Sequence, residues 1–404
     1  MKSDFNKLLI LTPTVSRIGA GLFNAVRCLA MAQNQQISSA KLLVFSFTDS
    51  FTHLDIRSWS PLNPKHFKRR LMPGLGFSRE LVVQARSFLD SGSVLHVHGI
   101  WEAAGAMIAS KAKSLRRPYL ISPHGMLDSW ALNQSRLKKS IANAIYVKRY
   151  IEGASCIHAL CESEYDSIRS YGFKGPISII ENGVDIPKLI EGNICHPAPW
   201  KTKEYPKLSG RKILLFLGRV AEKKGLFQLI NAWNDCKQNL NDWALVIAGP
   251  SDPEAHLEQL RNRVDELELN ETVAFIGPQF GDDKIACYQQ SAGFVLTSFS
   301  EGVPLAVLEA ASYRLPLLIS SQCNIPKLES LDAAITIDAR NQASLLAGLR
   351  RFLGENHESH TARSLRAYEY VKDECTWDRI ATQHLEVYRW LTGQRSKPDY
   401  VRLD

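Results

Sequence analysis

Two glutamates with seven residues between them, Glu301 and Glu309, stand in SEGVPLAVLEAASYRLP, flanked by the apolar runs GFVLTSF and LPLLIS. GFVLTSF reads as a buried strand, which puts Ser300, Glu301 and Gly302 at its carboxyl end, where open parallel sheets bind ligands. Gly302 lets backbone come close to a ligand. Pro304 suits the first turn of a helix, PLAVLEAASYR, whose free N–H groups and partial positive charge favour phosphate. Carboxylates beside a phosphate repel it unless aimed elsewhere. Vicinal hydroxyls are the natural target, because one carboxylate accepts two hydrogen bonds. Two such acids could hold a sugar at one end and a ribose at the other, which describes a nucleotide-sugar. A plainer reading also fits: Glu301 as a helix amino-end acid and Glu309 as a solvated one.

The loop in KILLFLGRVAEKKGLFQLINAW adds cations at a second strand end. After Gly218, Arg219 could meet a diphosphate with two parallel hydrogen bonds and Lys224 as a point charge. The alternative is a polar turn with Lys223 in solvent. In the first half, TPTVSRIGAGLF carries Gly19 and Gly21 between a strand and a helix, a pairing that by itself only makes a turn. LISPHGMLD puts His124 and Gly125 past another strand, where a histidine can donate to a sugar hydroxyl or phosphate oxygen, or merely occupy a turn. His98 ends the strand in LHVHGIW and reads either as structural or as lining an acceptor.

The elements that must position these groups alternate. Apolar strand candidates (KLLILTP, KLLVFSF, VLHVHG, PYLISP, CIHAL, PISIIE, KILLFLG, WALVIAG, VAFIGP, GFVLTS, PLLIS, AITID) are separated by stretches of helical periodicity. Nearly all-apolar strands between helices predict parallel sheets covered on both faces. The rhythm breaks at the proline- and lysine-bearing 191–210, a linker. The expected layout is a domain over 1–190, a second over 211–375, and a helix in 376–404 packing back across the domains. That helix gathers Trp377, Ile380, Ala381, His384, Leu385, Tyr388 and Leu391 on one face.

Taken in order, the Glu-x7-Glu pair, GRVAEKKG, WALVIAGP, VAFIGP and PISIIENGVD resemble the retaining glycosyltransferases of the GT-B fold, above all the family 4, group 1 type. The resemblance implies an α/β GT-B chain of two doubly wound Rossmann-like domains facing each other across a cleft. It implies that Arg219 and Lys224 hold the donor diphosphate, Glu309 the ribose, and Glu301 the transferred sugar near the reacting carbon. Gly218, Gly302, Val303 and Leu305 would line the donor, and backbone from Gly277 to Gln279 would meet the base. Gly19 and Gly21 would approach the diphosphate, and His124 would point at the donor sugar. Two departures stand out. Pro304 offers no N–H where the family often has glycine, and Arg314 replaces a glycine before the next strand.

The implied activity is retaining transfer of a hexose from a nucleotide-diphosphate sugar to a lipid-linked or growing bacterial polysaccharide or lipopolysaccharide. No cofactor beyond that co-substrate is expected. No metal is expected either, since no Asp-x-Asp pair is suitably placed and the cations could replace one. An epimerase acting on nucleotide-sugars and a non-catalytic membrane- or glycan-binding protein are the competing readings.

Composition narrows the setting. Of 404 residues 45% are apolar and 22% charged, enough for packed cores. Eight cysteines are scattered without a Cys-x-x-Cys pair or zinc spacing, as in a reducing compartment. No run approaches the ~18 apolar residues of a membrane span, so a cytoplasmic protein is expected, peripheral on the inner face of the plasma membrane at most. Residues 1–195 carry 24 Lys/Arg against 14 Asp/Glu, whereas 196–404 carry 25 against 27. The excess lies in two clusters. One is Lys65, Lys68, Arg69 and Arg70 beside Phe67 and Leu71. The other is Arg136, Lys138, Lys139, Lys148 and Arg149 around Leu137, Ile141, Ala144 and Ile145. Basic residues beside apolar ones suit an anionic membrane surface, with His98, Lys68, Arg69, Arg70, Lys138 and Lys139 on an acceptor or membrane side. The same pattern fits a solvated face over a core stripe. Nucleic acid fits poorly, because no binding module is recognisable and the second half is mildly acidic.

Overall fold

A computed structural model of the chain describes residues 5–37, 41–70, 76–89, 92–187, 197–201, 205–237, 240, 242–251 and 254–403. The strands, in chain order, are β1 (Lys7–Thr14), β2 (Lys41–Phe47), β3 (Lys65–Phe67), β4 (Ser93–His98), β5 (Tyr119–Ser122), β6 (Cys156–Ala159) and β7 (Ile177–Ile179). They continue with β8 (Lys212–Leu217), β9 (Trp243–Ala248), β10 (Val273–Gly277), β11 (Gly293–Leu296), β12 (Leu317–Ser320), β13 (Ile335–Ile337) and β14 (Val401–Arg402). The chain divides into two compact units, one of Met1–Gly183 with Trp377–Asp404, the other of Val184–Thr376.

The first unit is built on the sheet β14-β7-β6-β5-β4-β1-β2-β3 and the second on β10-β9-β8-β11-β12-β13. Both are parallel apart from β14, which pairs antiparallel with β7. Every residue of β4 and of β9 is buried, so both faces of each sheet are covered and the strands read as unbroken apolar runs. Strand order reverses between β1 and β4 in one sheet and between β8 and β11 in the other. Open parallel sheets bind ligands outside the carboxyl ends of the strands at such a reversal.

β3 and β14 are the strands that the apolar pattern misses. β3 is only three residues inside a basic cluster, KHF, and β14 is two residues long. The boundary expected at 190 lies at Gly183, because Val184 bridges to Thr376 within the second unit while Gly183 packs against Trp377. Of the expected linker, 191–196 and 202–204 lie outside the described residues. Its later part belongs to the second unit, where Pro206–Leu208 forms a 3₁₀ turn and the Tyr205 hydroxyl donates to the Phe275 carbonyl at 3.2 Å.

The carboxy-terminal helix, Trp377–Leu391, was expected to run back across both domains; it is part of the first unit. It packs on the helix Gly21–Gln36, with Trp377, Ile380, Ala381, His384, Leu385, Val387 and Tyr388 buried. Leu391, expected on that face, is only half-buried. Gln36 ties the two helices at one end, donating to the Asp378 carbonyl at 2.7 Å and accepting from Thr382 at 2.9 Å.

Candidate donor and acceptor sites

In the second unit the loops after β8 and β11 are pressed together. Gly225 has φ +65°, and a Cβ built there would come within 2.3 Å of the Thr297 carbonyl oxygen. Only glycine fits both the conformation and the space. The Thr297 hydroxyl donates back to the Lys224 carbonyl at 3.0 Å, and the Phe299 N–H donates to the Lys223 carbonyl at 2.8 Å. Gly249, just after β9, meets the same β8 loop from the other side: a Cβ there would lie 1.7 Å from the Gly218 carbonyl oxygen.

This fixing brings Lys224 onto Glu301, a direct ion pair, with Lys223 Nζ 3.6 Å from the other carboxylate oxygen. Burial works against a charged Glu301, but Lys224 and Lys223 outweigh it and hold the carboxyl below its ordinary range. Lys223, expected in solvent, is drawn into the site. Burial lowers its pKa, Glu301 opposes that, and Lys224 and Arg219 add to the lowering. Arg219 itself is exposed at the rim. The Asn324 side chain donates to the Glu301 carbonyl at 2.6 Å and fixes the loop from behind.

The helix after this loop is shorter than expected, Leu305–Ser312, and Pro304 is its extended N-cap residue rather than its first turn. Val303 is buried, and Gly302 and Leu305 are half-buried at the helix start. Glu309 lies on that helix and is not a free surface acid. Lys284 Nζ lies 2.6 Å from one oxygen, and the Tyr288 hydroxyl donates to the other at 2.8 Å. Gln279 folds onto its own turn, donating to the Ile276 carbonyl at 2.8 Å. Arg314 takes φ +59°, the left-handed backbone that favours glycine, and its guanidinium stacks 4.4 Å from the Tyr368 ring centroid. A cavity of about 570 Å³ opens beside the amino end of β10, between Tyr205, Lys207, Arg261 and Asn270, away from these loops.

In the first unit, the loop after β1 is held by the Thr14 and Ser16 hydroxyls donating to Asp49 at 2.6 and 2.7 Å. Gly19 packs against Thr14, leaving no space for a side chain, whereas a Cβ on Gly21 would meet nothing within 4 Å. His98 and His124, from β4 and the loop after β5, share a hydrogen bond of 2.8 Å between Nδ1 and Nε2. His98 Nε2 is buried without a partner among the described residues. His124 has φ +53° and is followed by Gly125 at +74°. Buried Glu164 closes the turn, accepting from the Gly125 N–H at 2.6 Å and the Leu160 N–H at 2.8 Å. Sequence reasoning missed Glu164, Lys284, Tyr288 and Asn324. An acid in the first turn of the helix Glu162–Tyr171 was a signal for Glu164; the others carry none.

Behind His98 runs a hydrogen-bond chain whose direction is fixed by its last acceptor, the Ile180 carbonyl. His158 donates to it from Nε2 at 2.7 Å, so in the neutral ring Nδ1 accepts from the Ser122 hydroxyl at 2.7 Å. Ser122 in turn accepts from His96 Nε2 at 2.7 Å. His96 Nδ1 accepts from the Tyr388 hydroxyl at 2.7 Å, and Tyr388 accepts from the Gln33 amide at 3.0 Å. Burial, with the neighbouring histidines for most of them, holds His96, His98, His124, His158 and His384 well below 6.5, so all five are neutral.

The two basic clusters separate. Lys68, Arg70 and Lys138 are exposed. Arg69 is pinned to Glu102 at 3.1 Å and lies over the Phe47 ring. Lys139 is half-buried, donating to the Ala131 carbonyl 5.2 Å from the Trp101 ring, and burial lowers its pKa. It is therefore not part of the outer basic face. Leu71 lies outside the described residues. Ile141 and Ile145, which could have been core, are exposed.

Residues 200–370 match the glycosyl transferases group 1, and residues 29–188 match Glycosyltransferase Family 4. The D-inositol 3-phosphate glycosyltransferase of Corynebacterium efficiens is 25% identical over 218 residues, 52% of this chain and 50% of that one. The GDP-mannose:cellobiosyl-diphosphopolyprenol alpha-mannosyltransferase of Xanthomonas campestris is 24% identical over 315 residues, 78% of each chain. The first four curated relatives are each matched over less than two thirds of their own length. A crystal structure of Anabaena HepE in complex with UDP and glucose superposes with a TM-score of 0.73 at 16% identity, covering 95% of this chain and 99% of that one.

Proposed function

The chain belongs to the group 1 glycosyltransferases of the family 4 type and has their GT-B fold, and on that footing we propose that it moves one hexose from a nucleotide-diphosphate sugar to a glycan acceptor with retention. The observation that carries the reading is the Lys224–Glu301 pair at the strand-order reversal, one helix away from Glu309. A diphosphate entering beside Lys224 and Arg219 meets cations at its negative oxygens. Glu301 and Glu309 remain as acceptors for sugar and ribose hydroxyls. The acceptor hydroxyl attacks the anomeric carbon on the face from which the sugar–phosphate bond breaks, and the departing phosphate oxygen takes the proton. Lys224 and Arg219 stabilise the charge that develops on the leaving group and make a metal ion unnecessary. By the family resemblance, His124 is assigned to the donor sugar; His98, at its strand end, is assigned to the acceptor. The name of the Xanthomonas relative supports a lipid-linked acceptor, which would bring the protein to the inner face of a membrane.

A melting-temperature screen with UDP-, GDP- and ADP-sugars identifies the donor, since only ligands of the folded state raise it. With that donor, Lys224→Ala should lower turnover by about 100-fold or more while leaving the unfolding transition in place. Near-normal turnover would remove Lys224 from the mechanism. Donor incubated alone and converted to an isomeric sugar would replace transfer with epimerisation.

A further inference from the structure

We propose that the helical segment 136–152 of the first unit is a docking face for an anionic lipid bilayer, with Leu137, Ile141 and Ile145 entering the interface. It deepens the reading above by naming a surface. These three side chains are 77%, 53% and 67% exposed, and nearby Trp130 is 44% exposed. They recur every fourth residue. A regular helix would carry such a spacing steadily round its axis, but a π turn over Asn143–Val147 interrupts it. The wider turn keeps Ile145 closer to the line of Ile141. The opposite side is anchored, with Ala142, Val147, Tyr150 and Ile151 buried in the core of the unit. A helix that already has a complete core face therefore presents a second apolar stripe to solvent.

Charge names the occupant. Between Asp128 and Glu152 there is no Asp or Glu, while Arg136, Lys138, Lys148 and Arg149 are exposed around the stripe, Lys148 lying 3.9 Å from Glu152 at the segment's end. Cations beside inserted aliphatic side chains match a lipid surface with negative headgroups. A nucleic acid would leave the three aliphatic side chains without a partner. The face also adjoins the loop that follows His98. The Tyr146 hydroxyl donates to the Trp101 carbonyl at 2.6 Å, Lys139 lies 5.2 Å from the Trp101 ring, and Arg69 pairs with Glu102. A bilayer at this face would hold a lipid-linked glycan beside His98 without the protein crossing the membrane.

The test is co-sedimentation of the full chain with phosphatidylcholine vesicles, with and without phosphatidylglycerol. The wild type should bind only the anionic vesicles, and binding should weaken as salt rises. L137S/I141S/I145S should lower binding about tenfold or more, and K138E/K148E/R149E about a hundredfold. The substituted side chains are exposed, so both variants should unfold with the wild type. Binding unchanged in both variants, or no anionic binding by the wild type, overturns the proposal. So does concentration-dependent dimerisation that the serine variant abolishes, because the face would then belong to a second copy. Nucleotide-sugar-dependent melting of L137S/I141S/I145S separates the two readings. Loss of vesicle binding with the donor shift intact leaves the transferase reading standing, and vesicle binding without any donor shift sinks only that reading.

Discussion

Glu309 is held at both oxygens, by Lys284 and by the Tyr288 hydroxyl, so its orientation is set before any ribose arrives. Lys284→Met would leave the carboxylate on one partner and free to rotate. The expected result is a donor KM raised about three- to tenfold, the loss of one charge-assisted hydrogen bond, with kcat little changed. An unchanged KM would show that Lys284 has no part in positioning Glu309. Glu301 differs, because Lys223 and Lys224 beside it are cations that a diphosphate would also attract. The acids themselves were legible in the sequence, standing at a strand end and on the following helix. Their partners were not. Lys224 and Glu301 are 77 positions apart, and nothing local marks Lys223 as a second contact or Lys284 as facing Glu309. Such pairings exist only once the sheet has brought its loops together.

At the scale of elements, the strands were readable wherever both faces are covered, because burial leaves an unbroken apolar run of the right length. β3 and β14 are too short to show any pattern. The helix 136–152 was ambiguous for a different reason: its apolar positions outnumber those needed for a single core-facing stripe, and only packing says which are covered. The juncture of the loops after β8 and β11 depends on one residue. Gly225→Ala would put a Cβ against the Thr297 carbonyl at a left-handed φ. It should destabilise the second unit by about 2–4 kcal/mol and lower transfer by moving Lys224 from Glu301. Denaturant unfolding of the variant checks the first effect, and a wild-type midpoint would show that the loops are not locked there.

Across the molecule, five neutral buried histidines in the first unit make its stability depend on pH. Each has a folded pKa below the ordinary 6.5. Below that value the unfolded chain binds protons that the folded one refuses. Stability is therefore full above about pH 6.5 and falls as the solution is acidified, by up to ~1.4 kcal/mol per pH unit for each histidine. Urea midpoints between pH 8 and 5, followed by hydrogen exchange in β4 and β5, should fall steeply below pH 6.5. A flat profile would mean that the histidines gain protons in the folded state. Replacing Ser122 with Ala would cut the chain between His96 and His158, leave two buried ring nitrogens unpaired, and cost about 1–3 kcal/mol.

The two units differ in how the ribosome delivers them. Val184–Thr376 is continuous in sequence, whereas the unit that starts the chain needs Tyr388 and the rest of Trp377–Leu391 to complete the packing around Gln33 and His96. Synthesis order and assembly order are therefore reversed. The portion translated second can finish folding first, while the portion translated first waits, its amino-terminal helix still lacking a partner, until residues 377–403 emerge. A chain ended at Thr376 and released from the ribosome should resist protease across its later half and be cut within its earlier one.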